Sequence, residues 1–261
     1  LLPDVVVTET YQQRQAKKSA LTVDVADQDF LRKHFTGNFM QAMENIPGVQ
    51  AMDIGSGFSK PMIRGMGFNR IAVLENGIKQ EGQQWGADHG LELDAFNIGA
   101  VNVLKGPSSL LYGSDAMGGV IAITSPPVPS VDMLFGDVTL LGKSVNGTLG
   151  ESFMLGIKKS FWYAQVRYSE QHFGDYRIPT DTIVYLTQKM PVYGRKLKNT
   201  AGIERNIGLF TQYQRRAYKA NYAVSNVYQK TGFFPGAHGI PDASRVEDDG
   251  DSRNIELPFS K

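Results

Sequence analysis

The chain has 261 residues and carries 27 basic and 26 acidic side chains, so its formal net charge is +1 and gives no electrostatic case for nucleic acid as a partner. Hydrophobic residues make up 41%, enough for a folded core, while the absence of cysteine excludes disulfide scaffolds, thiolate metal sites and thiol catalysis. No apolar run approaches the ~18 residues of a membrane-spanning helix, which leaves a membrane β-barrel open.

Taken in chain order, Val5-Val6-Val7-Thr8 is a β-branched run suited to an extended strand. A helical pattern starts at Asp27, with Phe30, Leu31, His34 and Phe35 on one face, and Gly37 interrupts it. Phe39, Met43 and Ile46 form a second short apolar face that ends at Pro47-Gly48. Short strands are predicted at 49–52, 61–64 and 71–74. Asn76-Gly77 is the type I′ turn signal that joins the last of these to 78–80. Strands at 101–104 and 120–124 complete a small α+β unit.

Ser125-Pro126-Pro127-Val128-Pro129 forbids helix and central strand and marks a hinge. Residues 1–127 hold 10 basic and 13 acidic groups, and the remainder 17 and 13, so the charge changes sign across the hinge. Beyond it, long strands are predicted at 133–141, 150–158, 161–170, 205–218 and 220–231, with a tight turn at Lys158-Lys159-Ser160. Trp162, Ala164, Val166 and Tyr168 alternate with Tyr163, Gln165, Arg167 and Ser169, giving one apolar and one polar face. The connections at 171–204 and 232–258 are long, polar and rich in Gly and Pro. On periodicity alone, an outer-membrane barrel wall and a soluble β-sandwich stay equally open.

Several strings in the first part resemble the plug domain of TonB-dependent outer-membrane transporters. They are Asn45-Ile46-Pro47-Gly48-Val49, Ile63-Arg64-Gly65, Val73-Leu74-Glu75-Asn76-Gly77 and Val103-Leu104-Lys105-Gly106-Pro107-Ser108-Ser109. The last continues through Leu111-Tyr112-Gly113 and Ala116-Met117-Gly118-Gly119-Val120-Ile121. Each string alone is weak, whereas their order and spacing over about a hundred residues are specific. The resemblance implies an α+β plug over residues 1–127, followed by antiparallel strands of an incomplete outer-membrane β-barrel over 128–261. Such a barrel is expected to have 22 strands, with a lumen wide enough to need a plug. Five strands cannot close one, and the ends at Leu1 and Lys261 read as those of a fragment.

The resemblance also implies site residues. Asp4, Val5, Val6, Val7 and Thr8 resemble the TonB box, which would pair by strand addition with TonB of the inner-membrane energy-coupling complex; an ordinary first plug strand is the other reading. Arg64 and Lys105 are expected to lock plug to barrel. The family's usual acidic and basic residues ahead of the Lys-Gly-Pro string are replaced here by Ile98-Gly99-Ala100-Val101-Asn102-Val103, so that lock does not carry over whole. Gln83, Gln84, Trp85, Asp88 and His89 resemble an apical ligand-binding loop. Asp88 and His89, with His238 from a later loop, suit Zn²⁺ or Cu²⁺, against the plainer reading of a solvated loop histidine.

The function implied is import across the outer membrane of a scarce nutrient, first an iron chelate such as a siderophore or haem, then free zinc or copper, with no intrinsic cofactor. Cobalamin and carbohydrate are further possibilities. A soluble periplasmic binding or signalling module with a plug-like domain is the rival from another class. A secreted β-rich enzyme is a third, without support from any catalytic constellation. Gly55-Ser56-Gly57 lacks the rest of a P-loop, and Ser108, Ser109 and Ser114 lie outside any Gly-x-Ser-x-Gly elbow.

Overall fold

The computed structural model of the chain describes residues 22–55, 58–80, 91–106, 112–185, 188–197 and 200–232. The first part builds around a sheet of five strands. These are β1 (Thr22–Ala26), β4 (Ile71–Glu75), β5 (Ile78–Lys79), β6 (Ala100–Lys105) and β7 (Gly119–Thr124), in the order β1-β6-β7-β4-β5. Only the β4–β7 pair is parallel; the other pairs are antiparallel. A separate hairpin joins β2 (Val49–Gly55) to β3 (Phe58–Ile63).

Local chemistry sets the helix boundaries. Helix α1 (Gln28–His34) starts where Asp27 accepts the Phe30 backbone N–H at 2.9 Å and has Arg32, Lys33 and His34 in its last turn. Helix α2 (Phe39–Met43) is capped by Asn38, which accepts from the Met40 N–H at 2.9 Å. Their apolar faces drop Leu31, Phe39, Met40 and Met43 onto Ile63, Ile71, Val73, Val101, Val103, Ile121 and Ile123, the main plug core. A smaller cluster of Ala72, Leu74, Leu104, Ala116 and Val120 covers the sheet's other face. Asn76 and Gly77 both have positive φ, as a type I′ turn requires, and β4 and β5 flank them. Gly119 has φ +149, and a side chain there would meet the Leu104 carbonyl oxygen at 2.7 Å and Ile63 Cδ1 at 2.8 Å, so only glycine lets β6 and β7 pack this closely.

Beyond the prolines, five long strands form one antiparallel sheet. They are β8 (Met133–Lys143), β9 (Thr148–Lys159), β10 (Trp162–Phe173), β15 (Gly202–Arg215) and β16 (Tyr218–Thr231), in the order β16-β15-β10-β9-β8. The predicted strand break near residue 219 is corrected: the last hairpin turns at Arg216-Ala217, with Arg215 paired to Tyr218. Residues 174–201, expected to be loop, contain two short ladders. In one, β11 (Tyr176–Arg177) pairs β14 (Lys196–Leu197); in the other, β12 (Thr182–Tyr185) pairs β13 (Gln188–Pro191). The turns at 160–161 and 216–217 lie at one end of the sheet, and the 144–147 turn and the 174–201 connection at the other.

The two faces of this sheet settle the choice that periodicity left open. Gln165, Arg167, Ser169, Gln171, Ser152, Asn206 and Gln212 are buried, while Leu134, Val138, Leu155, Trp162, Val166 and Ile207 are exposed. Register keeps the exposed set together, since Val166 pairs with Leu155 and Leu209, and Leu209 with Val224. A soluble sandwich buries its apolar face and wets its polar one. Here the polarity is inverted, as in a barrel wall with lipid outside and a polar lumen inside. Both edges of the described sheet, β8 and β16, are open, so the barrel is not closed.

Candidate functional site

The buried polar face of the wall holds the plug through a seam of hydrogen bonds. On the plug side, residues 91–99 approach the wall and turn through a short 3₁₀ segment at Ala95–Asn97, which Asp94 caps by accepting the Phe96 N–H at 3.0 Å. The same Asp94 oxygen accepts the Ser169 hydroxyl of β10 at 2.9 Å, and Ser169 accepts in turn from Asn206 of β15 at 3.2 Å. Gln165 donates to Asn97 Oδ1 at 3.5 Å, the limit of a hydrogen bond. Further along β10, the Gln171 amide donates to the Gly37 carbonyl and to Glu204, each at 2.9 Å, while Gln229 donates to Glu204 at 2.6 Å.

Arg167 points into this seam from β10. It is buried and donates to Ser152 at 2.9 Å, and its charge attracts the Asp94 carboxylate. Its Nε and Asn206 Oδ1 are buried without a partner among the described residues, so part of the seam is unsatisfied. Burial pushes the Asp94 carboxyl above its ordinary range, and Ser169, the Phe96 N–H and Arg167 only partly oppose this. Glu75 moves the same way, first through burial and then through repulsion by Asp94. Elsewhere on the plug, Lys79 binds Asp115 at 2.6 Å and, with Ser114, holds that carboxyl below the usual range.

Gly37 lies against the wall. Its φ is +81, and a Cβ there would sit 2.4 Å from Leu141 Cδ2 and 2.8 Å from Gln171 Oε1. Glycine therefore both makes the turn between the two helices and lets its carbonyl reach the wall.

Arg64 and Lys105, the two residues expected to lock plug to barrel, both lie on the plug. Arg64 sits with Gly65 at the tip of a two-residue turn, both with positive φ, between Ile63 and Met66, which exchange hydrogen bonds of 2.8 and 3.0 Å. It is exposed, and its backbone N–H donates to the Gly48 carbonyl at 2.9 Å. Lys105 is buried; its ammonium lies 2.6 Å from Asp24 and donates to the Pro47 carbonyl. That geometry ties Lys105 to the plug's own β1 and not to the described wall strands. Among the described residues, hydrogen bonds to the wall run through Asp94, Asn97 and Gly37, none of which was predicted from sequence. The polar side of the 161–170 alternation was the available signal for their partners.

Asp4, Val5, Val6, Val7 and Thr8, the loop residues Gln83, Gln84, Trp85, Asp88 and His89, and His238 all lie outside the described residues. Among the described residues, no group of three or more His, Asp or Glu is arranged to hold a metal ion.

The sequence and fold of this chain have clear relatives. Residues 15–120 match the TonB-dependent Receptor Plug Domain family. The hemin receptor of Yersinia enterocolitica is 31% identical over 131 residues, which is 50% of this chain and 19% of that protein. The iron-regulated outer membrane virulence protein of Vibrio cholerae is 30% identical over 126 residues, 46% of this chain and 19% of its own. The chain thus matches only about a fifth of the length of these relatives. The crystal structure of the siderophore receptor PirA from Acinetobacter baumannii shares the fold, with a TM-score of 0.64 at 17% identity, over 88% of this chain and 34% of that one. Residues 15–120 thus match a TonB-dependent receptor plug domain and are joined to a polar-inside wall with the fold of these receptors, so the chain is similar to a fragment of a TonB-dependent receptor.

Proposed function

We propose that this chain is the plug and part of the barrel wall of an outer-membrane receptor that imports an iron chelate, haem or a siderophore, with energy delivered through TonB. The observation that carries the reading is the seam: a separately cored domain is tied to an inverted wall by hydrogen bonds from buried polar side chains. Such bonds contribute only about 1 kcal/mol each and have water to replace them, so a pulled plug can give them up one at a time. In this reading Asp4–Thr8 is the segment that TonB grips, and Gln83, Gln84, Trp85, Asp88 and His89 meet cargo on the outer side. The named activity of the Yersinia relative supports haem or another iron chelate as cargo.

The Asp88-His89 pair supports a second reading, import of free zinc or copper, because imidazole with carboxylate suits those ions. One uptake experiment separates the two. Cells expressing the full-length receptor are given labelled haem, a ferric siderophore or zinc, with and without TonB. Uptake of an iron chelate is expected to require TonB and to stop in Val6→Pro while surface binding persists, since proline removes a strand donor. Uptake that survives loss of TonB overturns the proposal. Zinc uptake that is lost on replacing Asp88 and His89 by alanine moves the assignment to the metal.

A further inference from the structure

We propose that the tight-turn end of the wall carries a binding site for the headgroups of anionic phospholipids. The inference rests on reading the wall as lipid-facing, as above. At this end the register places Lys159, Trp162 and Tyr213 side by side on the outward face, with Arg215 and Tyr218 one row beyond. Trp162 and Tyr213 pack with ring centres 4.8 Å apart, and Phe161 meets Tyr213 edge-on at 6.5 Å. The Arg215 guanidinium lies 5.1 Å above the Phe161 ring. Trp162 and Tyr218 are 63% and 79% exposed, although nothing in a soluble fold favours leaving such rings in water. Together they form the aromatic belt that amphipathic rings make at headgroup level.

The charges around this belt are mostly of one sign. Lys159, Arg215 and Arg216 are exposed, and Lys158 reaches the Ser160 carbonyl beside them. Among the described residues none of these cations has a carboxylate partner. The nearby carboxylate, Asp132, is occupied by the Ser160 N–H at 2.7 Å. The opposite rim differs. There Glu170 binds Arg205 through two hydrogen bonds of 2.8 and 3.2 Å and His172 at 2.5 Å, and Glu151 faces Glu170 across the ladder. On that rim Arg205 is paired, whereas the tight-turn rim clusters several cations without a carboxylate partner among the described residues.

From Trp162 to Glu170 the strand covers about 26 Å at ~3.3 Å per residue. At the usual ~40° tilt this is about 20 Å along the membrane normal, close to the ~25 Å apolar band of such barrels. The cationic rim therefore sits at one leaflet's phosphates. Guanidinium groups match phosphate oxygens in a forked geometry, and basic clusters at a membrane edge attract anionic lipid. Acyl chains below the headgroup would lie along Trp162, Val166 and Leu155.

The test uses the full-length receptor in mild detergent, titrated with phosphatidylglycerol or phosphatidylethanolamine and read by native mass spectrometry. Phosphatidylglycerol adducts are expected to dominate, and Lys159→Gln, Arg215→Gln and Arg216→Asn combined should weaken them about tenfold or more. Arg205→Gln with Lys230→Gln, on the other rim, should leave them unchanged. Equal adducts of the two lipids, or no effect of the triple variant, overturns the proposal. Displacement of the lipid by glycerol 3-phosphate in excess also overturns it, by reducing the site to a simple anion site. If the triple variant fails to fold, Arg216→Asn alone, whose residue lies in the turn, is expected to give a smaller loss in the same direction. Failure of the receptor to enter membranes at all, read by heat-dependent gel mobility, would instead overturn the lipid-facing wall.

Discussion

Gly37 shows how one residue couples the turn between two helices to the hold on the plug. Positive φ alone costs an alanine about 1–2 kcal/mol, and forcing a methyl group into a packed contact costs about 1–3 kcal/mol more. Gly77 supplies the control, because its φ is +87 and nothing lies within 4 Å of an added Cβ. Gly77→Ala should therefore cost only the first amount, and Gly37→Ala both. The order is checked by the temperature at which the plug becomes sensitive to protease; equal shifts would show that Gly37 does not press on the wall. From sequence, Gly37 was visible as a helix interruption and Asn76-Gly77 as a turn, since both follow from backbone conformation. That Gly37 also touches Leu141 and Gln171 depends on residues more than a hundred positions away, which no local pattern reports. Lys105 shows the same limit. Its string was legible, but its partner Asp24 lies on β1, a strand not anticipated at Thr22–Ala26.

At the scale of elements, alternation located the five wall strands but could not say which face was buried. Period two is identical for a soluble sheet and a barrel wall; only the burial of Gln165, Arg167 and Ser169 distinguishes them. The missed turn at Arg216-Ala217 has a similar cause. It contains no Gly, Asn, Asp or Pro, and Arg216 adopts φ +52 because the strands on either side dictate it. The outward assignment of β10 makes a direct prediction for Val166, which is 50% exposed and lies between Leu155 and Leu209. An arginine there would stand in hydrocarbon at a cost of about 2–4 kcal/mol, whereas leucine would be neutral. Val166→Arg is expected to reduce the amount of assembled, heat-modifiable receptor in the outer membrane, with Val166→Leu at the native level. Normal assembly of the arginine variant would reverse the face assignment.

For the molecule as a whole, the seam joins two bodies whose cores are separate, and its titration is a property of the assembly. Asp94 is held by Ser169 and Phe96 but loses water, and burial outweighs those bonds, so its folded pKa lies above the ordinary value. A carboxyl raised in this way favours the folded state most when protonated. Its contribution is fully present below the unfolded pKa and is lost as pH rises through the folded one. Glu75 adds to this in the same direction, and ionised Asp94 raises it further. Asparagine at 94 keeps an oxygen for Ser169 and the Phe96 N–H but carries no charge. Asp94→Asn should therefore match the native protein in acid and hold the plug more firmly at neutral pH, flattening the pH dependence of its release. Asp94→Leu, which removes the acceptor, should weaken the seam at every pH by about 1–3 kcal/mol. Protease accessibility of the plug, measured in the full-length receptor from acid to neutral pH, separates these outcomes. If Asp94→Asn loosens the plug at neutral pH, the attraction of Arg167 for the charged carboxylate outweighs its burial. The seam would then be an ion pair in function, with the charge on the wall and the acid on the plug.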